Sequence, residues 1–172
     1  GKSSLISKIF PSKAKSRKTI PEHDVKRGTL SPKRTVPEHI VRPDYATTGK
    51  PKKSKHSLIK TPEQLTRMRK ACRAARQVLQ TVADADKVGV TTDELDAIAH
   101  ETYIKLGGYP STLNYHGYKK SLCPSVNEVI CHGIPDSRAL KDGDIVNCDV
   151  TIFLDGMHGD CSRTLFVGEV AE

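Results

Sequence analysis

Two aspartates, Asp149 and Asp160, occupy a stretch that otherwise has the alternating pattern of paired β-strands, NCDVTIFLDGMHGDCSRT (147–164). Aspartate is depleted in strands, so their presence there needs a reason. Asp155-Gly156 between them is a strong signal for a two-residue hairpin turn. With that turn Thr151 pairs with Asp160, and Asp149 lies on the same face because side chains alternate along a strand. The two carboxylates are then diagonal neighbours with Cα atoms about 7–8 Å apart, and a divalent metal ion fits between their oxygens.

The opposite face of the first strand is apolar and is predicted to pack against a core. It is made of Val146, Cys148, Val150, Ile152 and Leu154. The hairpin alone leaves a second interpretation open, because antiparallel sheets often expose one face to water and the two acids could simply be solvated. A one-residue slip in register would also separate them.

Two amphipathic helices precede the hairpin and must support it. The first begins with the capping box TPEQ, with Thr61 as N-cap, and a second capping box joins Thr91 to Glu94. The second helix is predicted to stop at Gly107-Gly108. Apolar residues follow at helical spacing at Leu65, Met68, Cys72, Ala75, Leu79 and Val82, and then at Leu95, Ile98 and Tyr103 or Ile104. Helices followed by antiparallel strands predict an α+β domain.

Further candidate site residues lie between the helices and the hairpin, in PSTLNYHGYKKSLCPSVNEVICHGIP (110–135). His132 precedes Gly-Ile-Pro, where a tight turn could expose its ring. Tyr115 and Tyr118 bracket His-Gly and could wall an apolar pocket with a polar rim. Taken singly, each of these residues favours a structural role over a functional one.

The charge of the chain is strongly asymmetric. Residues 1–60 hold 16 Lys and Arg against 4 Asp and Glu, whereas residues 61–172 hold 12 against 16. We therefore expect two regions: a basic disordered tail or linker over residues 1–56 and a folded domain over residues 57–172. The first twenty residues carry six basic side chains and no acid, which fits either an organelle transit peptide or a basic tail. TIPEHDVK (19–26) recurs as TVPEHIVR (35–42), either a docking motif or a linker duplication.

Cysteine usage and hydropathy narrow the class of protein. Five cysteines without a C-x-x-C pair disfavour a disulfide framework and a zinc finger, and favour a reducing compartment. No apolar run approaches the about 20 residues of a membrane-spanning helix.

Three motifs together resemble the first half of a type I methionine aminopeptidase. They are NYHGYKKSLCPSVNEVICHGIPDS, LKDGDIVNCDV and DGMHGDCSRTLFVGE, and the resemblance runs from about Thr61 to Glu169. The stretch PEHIVRPDYATTGKP resembles the proline-containing extension of organellar and some bacterial members. The resemblance implies a pita-bread fold, in which helices pack on antiparallel sheet in two pseudo-symmetric halves around a dinuclear metal site.

The resemblance also implies roles for individual residues. Asp149 and Asp160 match metal ligands, His132 matches a catalytic histidine that hydrogen-bonds the substrate, and Tyr115, Tyr118 and Cys123 match the pocket for the N-terminal methionine, with Thr112 at its mouth. Two divalent ions (Co, Mn, Fe or Zn) would supply a low-pKa water for hydrolysis of the first peptide bond of peptides or nascent chains.

Lys119 and Pro124 depart from the family pattern beside the pocket. The remaining family ligands, a histidine and two glutamates, have no counterpart before Glu172, so only half of the site is expected here and the domain is expected to continue. His158 lies on the acidic face but is a poor substitute for them.

Two further interpretations stay open. One is a non-catalytic pita-bread relative that acts as an interaction protein, although such relatives usually lose the metal-binding aspartates. The other is a ribosome-associated role for the basic tail, through the salt-dependent attraction of basic chains to polyanions; no sequence-specific DNA binding is expected. The tail predicts a mitochondrial or other organellar location, with the cytoplasm as the alternative.

Overall fold

The computed structural model describes residues 26–53 and 58–170. Two helices pack on an antiparallel four-stranded sheet, which confirms the predicted α+β class. The elements are α1 (Pro62–Ala85), α2 (Thr92–Lys105), β1 (Tyr109–Pro110), a 3-10 turn (Tyr115–Gly117), β2 (Cys123–Val126), β3 (Ile145–Leu154) and β4 (Met157–Phe166). No helix among the described residues has both the length and the apolarity that a membrane crossing requires.

Both predicted capping boxes are present. At the start of α1 the Thr61 hydroxyl accepts from the Gln64 amide at 3.3 Å, and the Gln64 side chain accepts from the Thr61 amide at 2.9 Å. Thr91 and Glu94 repeat the arrangement at α2. Each cap satisfies backbone donors that a helix start leaves unpaired, a stabilisation of about 1 kcal/mol.

The hairpin has the predicted register. Leu154 pairs with Met157 and Thr151 pairs with Asp160. The turn residues Asp155 and Gly156 have φ values of 51° and 77°, and such positive values match the twist of the flanking strands. Strand β3 is central, because β1 and β2 pair with it along one edge and β4 along the other.

The apolar face of the hairpin forms the core with α1 and α2, as predicted, but two residues assigned to α1's buried face are exposed. Leu65 is 38% exposed, and Cys72 is also exposed. The buried face of α1 consists of Ala71, Ala74, Ala75, Val78, Leu79 and Val82. The alanines allow the helix to approach β4 closely. The helix is therefore oriented with the alanines against the strand, and Leu65 and Cys72 remain exposed.

The prediction of a disordered linker is wrong for residues 26–53, which we call the strap. Residues 1–25 and 54–57, with the transit-peptide candidate and nearly all of the first repeat copy, lie outside the described residues. Val36, Ile40, Tyr45 and Ala46 of the strap are buried. They are too few and too widely spaced to give a periodic pattern. Val36, Ile40 and Ala46 are buried because they pack on Tyr109 and Leu113 of the domain.

Ion pairs fasten the strap to α2. Arg34 contacts Asp96 at 3.1 Å and Asp93 at 3.2 Å. Lys120, which is 1% exposed, pairs with Asp93. The fully buried Asp96 also accepts the Ser121 amide at 2.7 Å. These interactions satisfy buried charges that would otherwise be costly, so the strap is part of the folded unit.

His100 on α2 connects the strap to the loop before β2. Its Nε2 lies 2.9 Å from the Thr35 carbonyl oxygen and its Nδ1 lies 2.8 Å from Ser121 Oγ. A carbonyl only accepts, so Nε2 carries the proton and the Ser121 hydroxyl donates to Nδ1. Burial lowers the pKa of His100, a shift that Arg34 reinforces and that Asp96 and Glu101 oppose.

We expect this histidine to weaken the fold in mild acid. A His pKa depressed below 6.5 in the folded state means that the unfolded chain binds the proton more readily, so the stability that His100 contributes is present above pH 6.5 and is lost as the pH falls through the folded pKa. His100→Gln preserves a donor for Thr35 and removes the titration. Urea unfolding at pH 7.5 and 5.5 should show a smaller loss of stability in the variant; equal losses in both proteins would contradict the assignment.

Candidate functional site

A cavity of about 870 Å³ lies over the outer face of the hairpin. All seven residues singled out from the sequence line it: Thr112, Tyr115, Tyr118, Cys123, His132, Asp149 and Asp160. The other lining residues are Asp44, Tyr45, Pro51, Lys52, Ser111, His116, Gly117, Thr151 and His158. Residues from the strap, the loop after β1, β2, the loop after β2 and the hairpin therefore converge on one concave surface.

The two aspartates line this cavity from the hairpin. The Thr151 hydroxyl donates to Asp160 Oδ1 at 2.9 Å and holds that carboxylate in place. Burial raises the pKa of Asp149, and the negative charge of Asp160 and a shared hydrogen bond raise it further, while His132 opposes the shift. Two carboxylates brought together in a half-buried site repel one another unless a proton or a cation lies between them.

The loop after β2 presents His132 to the cavity. His132 has a φ of 54° and is exposed. The next residue, Gly133, lies so close to the Pro124 backbone that an added Cβ would overlap it. The Gly133 amide donates to Ser125 Oγ at 3.2 Å, and the Tyr118 hydroxyl donates to the Gly133 carbonyl at 2.6 Å. His132 is therefore placed by contacts made through its neighbour.

The wall beside Asp149 carries no charge, although it contains the Cys123 thiol and the Tyr118 hydroxyl. Burial raises the pKa of Cys123 to about 11, so the thiol is neutral at physiological pH. Burial also raises the pKa of Tyr118. Tyr115 is 46% exposed at the rim, and the Thr112 hydroxyl donates to the Lys120 carbonyl at 3.0 Å. Uncharged sulfur and aromatic surface suit an apolar ligand side chain.

Two residues that depart from the family pattern differ in their effect on the cavity. Lys119 is exposed and does not line it. Pro124 is buried in β2 opposite Cys148, where it contacts Gly133. The proline therefore influences the cavity through the loop that carries His132.

Sequence reasoning missed the strap residues and Ser111, and it considered His158 only as a substitute ligand. Ser111 Oγ lies 2.9 Å from His158 Nδ1, and Tyr45 and Asp44 line the same side of the cavity. Burial lowers the pKa of His158, against the opposing charges of Asp44 and Asp160. The available signal was Tyr45 itself, a large aromatic side chain in a polar segment, which is unusual for a free linker.

The donor atoms fit part of a divalent metal site. Within residues 26–53 and 58–170, no three His, Cys, Asp or Glu side chains cluster closely enough to hold a metal ion. Two carboxylates do converge, and their mutual repulsion is the kind that a bound cation removes. Carboxylate oxygens suit hard and borderline divalent ions. Asp149 and Asp160 would therefore supply two ligands of a larger set.

The profile of metallopeptidase family M24 matches residues 66–172. The chain is 54% identical over 154 residues to methionine aminopeptidase 1A of Arabidopsis thaliana, covering 86% of this chain and 39% of the relative. It is 49% identical to the mitochondrial methionine aminopeptidase 1D of Danio rerio, covering 90% of this chain and 46% of the relative. The methionine aminopeptidase from Rickettsia prowazekii aligns with a TM-score of 0.65 and 45% identity, covering 66% and 46% of the two chains. The chain thus spans less than half the length of these relatives.

Proposed function

The chain belongs to metallopeptidase family M24, and from this premise we propose that it supplies one half of the active site of an enzyme that removes N-terminal methionine from peptides or nascent chains. The observation that carries the proposal is the convergence of Asp149 and Asp160 in a cavity whose adjoining wall is apolar. Metal-dependent aminopeptidase chemistry needs carboxylate ligands, and a methionine side chain needs apolar surface beside them.

Each residue takes the role that its position supports. Asp149 and Asp160 would hold the metal, two ions in the finer form of the proposal, with Mn, Fe, Co or Zn as candidates. A divalent ion bound there acts as a Lewis acid and lowers the pKa of a bound water. His132 would hydrogen-bond the amide of the first peptide bond. Its loop is anchored for that task by two hydrogen bonds to Gly133, from Tyr118 and to Ser125.

Selectivity for methionine would come from the apolar wall. Tyr115, Tyr118 and Cys123 would contact the thioether side chain, with Thr112 at the mouth. A neutral thiol and two aromatic rings bind an unbranched apolar chain through dispersion and sulfur contacts. A charged first residue would lose its hydration against this apolar wall, so we expect it to bind less well than methionine.

The test is hydrolysis of a Met-Ala-Ser peptide with Mn²⁺ or Co²⁺ supplied, with Lys-Ala-Ser as the selectivity control. The 172-residue chain and a longer form that adds the second half of the domain should be assayed side by side. Turnover by the longer form alone supports an incomplete half-site in this chain. Turnover by the chain itself shows that the site is completed by self-association or by further ligands such as His158. Absence of turnover in both refutes the proposal.

The proposed location is mitochondrial or another organelle. It is supported by the basic composition of residues 1–20 and by similarity to a mitochondrial relative. The same basic region would favour proximity to ribosomes if it is retained, because Lys and Arg clusters attract polyanions. Import of a fluorescent fusion into mitochondria, and loss of import on deletion of residues 1–20, would test the location directly.

A further inference from the structure

The strap contributes directly to one wall of the cavity. Asp44, Tyr45, Pro51 and Lys52 line it together with the two aspartates of the hairpin. Tyr45 is 4% exposed, so it lies inside the packed structure. The strap therefore does more than cover the domain surface, because its side chains bound the volume that a substrate would enter.

Tyr45 contacts the lining residues on two sides. Its ring lies edge-to-face on Tyr115, with centroids 5.1 Å apart, and near-parallel to His158, with centroids 6.3 Å apart. Its hydroxyl donates to the Ser111 carbonyl at 2.7 Å in a buried hydrogen bond. Ser111 in turn contacts His158 through its own hydroxyl. Aromatic pairs at these distances fix ring orientation.

The strap backbone also holds the turn that carries Tyr115. The Asn114 side-chain amide donates to the Ala46 carbonyl at 2.9 Å, and the His116 amide donates to the Gly49 carbonyl at 3.0 Å. Asn114 and His116 have positive φ values of 67° and 48°. A turn with two such residues, one on each side of Tyr115, persists only when its surroundings enforce it, and the strap supplies two of the enforcing hydrogen bonds.

We infer that the strap is a built-in wall of the substrate pocket and that Tyr45 is a positioning residue, which holds Tyr115 and His158 in place for binding of the N-terminal side chain. This inference rests on the proposed function for the nature of the ligand, but the positioning itself is a property of the free protein. It gives the strap a role in substrate selection in addition to its role in stability.

The first arm of the test needs no ligand. Tyr45→Ala should speed amide hydrogen exchange at His116 by about tenfold or more. Local opening of the turn costs less free energy once the ring contacts are absent. It should also move the ring resonances of His158, which lie next to the lost aromatic ring. Tyr45→Phe keeps both ring contacts, so exchange at His116 should stay within about threefold of the parent. If Tyr45→Ala does not fold, Tyr45→Leu removes the ring while keeping apolar volume.

Val36→Ala is the matched control, because Val36 is buried in the same strap but does not line the cavity. It should lower overall stability and leave exchange at His116 and the His158 resonances unchanged under native conditions. Equal effects of Val36→Ala and Tyr45→Ala would overturn the inference, since strap docking in general would then hold the turn. Unchanged exchange in Tyr45→Ala would overturn it too.

The second arm uses L-methionine amide as the probe, titrated with Mn²⁺ into a longer form that adds the second half of the domain. Tyr45→Ala should weaken binding about tenfold and Val36→Ala less than twofold, a change of the size seen when an aromatic wall contact is lost. Equal affinity in the parent and Tyr45→Ala would overturn the role in selection. If the parent itself does not bind the amide, the proposed function fails while the exchange experiment still decides whether Tyr45 positions the wall.

Discussion

Asp149→Asn is expected to lower kcat/KM for N-terminal methionyl peptides by about a thousandfold in any longer form that carries the complete proposed site. Removal of one proposed carboxylate ligand should weaken metal binding, and with it the several kcal/mol of charge stabilisation that a bound ion supplies. Each tenfold change in rate corresponds to about 1.4 kcal/mol. An amide oxygen remains at the same position, but it is neutral and a poorer ligand. Asp160→Asn should have the same effect, because both carboxylates line the cavity side by side.

The same substitution should leave metal-free stability unchanged or slightly higher. Asp149 and Asp160 are like charges in a half-buried site, and replacement of one by a neutral amide of the same shape relieves their repulsion. Loss of function together with a gain in stability is typical of a residue retained for its chemistry. A purely structural aspartate would behave in the opposite way, because its loss would reduce stability and affect activity only through folding.

Asp155→Asn provides the matched control. It makes the same chemical change in the same hairpin, at a turn residue that pairs with Lys70 on the surface and does not line the cavity. An exposed ion pair contributes about 0–1 kcal/mol, so activity should be unaffected. Peptide turnover, Mn²⁺ titration calorimetry and urea unfolding should be measured for both variants. Full turnover by Asp149→Asn would show that the metal-site assignment is wrong.

The placement of the aspartates could be predicted from sequence because one local signal determines it. Asp155-Gly156 selects a two-residue turn, the turn sets the register, and the register puts Thr151 opposite Asp160 and Asp149 on the same face. The helix starts could be predicted for the same reason, since each capping box is complete within four residues. These features depend on neighbours in the chain and not on the rest of the fold.

The strap could not be predicted in this way, because its structure depends on distant partners. Arg34 pairs with Asp93 and Asp96, about 60 positions away in the chain, and Tyr45 bonds to Ser111. The local composition of the strap is that of a linker. The burial of its few apolar residues can be predicted only when the surface beneath them is known. Four of the lining residues of the cavity were missed for this reason.

The orientation of α1 illustrates the same limit. Helical spacing placed Leu65 and Cys72 on the buried face, but the helix presents Ala71, Ala74 and Ala75 to the sheet instead. The cause lies on β4, where Gly159 meets the backbone of Ala71. A glycine inside a strand indicates close approach of another backbone, and only the fold shows which backbone it is.

Gly159→Ala should therefore destabilise the protein more than a methyl group added at any other position of the hairpin. The new Cβ would overlap the backbone of Ala71 and Cys72, which cannot move aside as the tip of a side chain can. Overpacking of this kind costs about 1–3 kcal/mol, and more where backbone must shift. We expect a loss at the upper end of that range or beyond in urea unfolding followed by circular dichroism.

Gly89→Ala separates this clash from the general effect of adding a methyl group to glycine. Gly89 has a φ of 89° and no neighbour within 4 Å of the added Cβ, so its cost is the about 1–2 kcal/mol of a left-handed backbone alone. Equal losses of stability in the two variants would show that α1 moves aside easily and that the close approach is unimportant.

A larger loss of stability at Gly159 would have a further consequence, because Gly159 adjoins Asp160 along β4. Displacing the strand from α1 should then also weaken Mn²⁺ binding, because the helix packing on one face of the hairpin holds the carboxylates in register on the other. Gly89→Ala should leave Mn²⁺ binding intact.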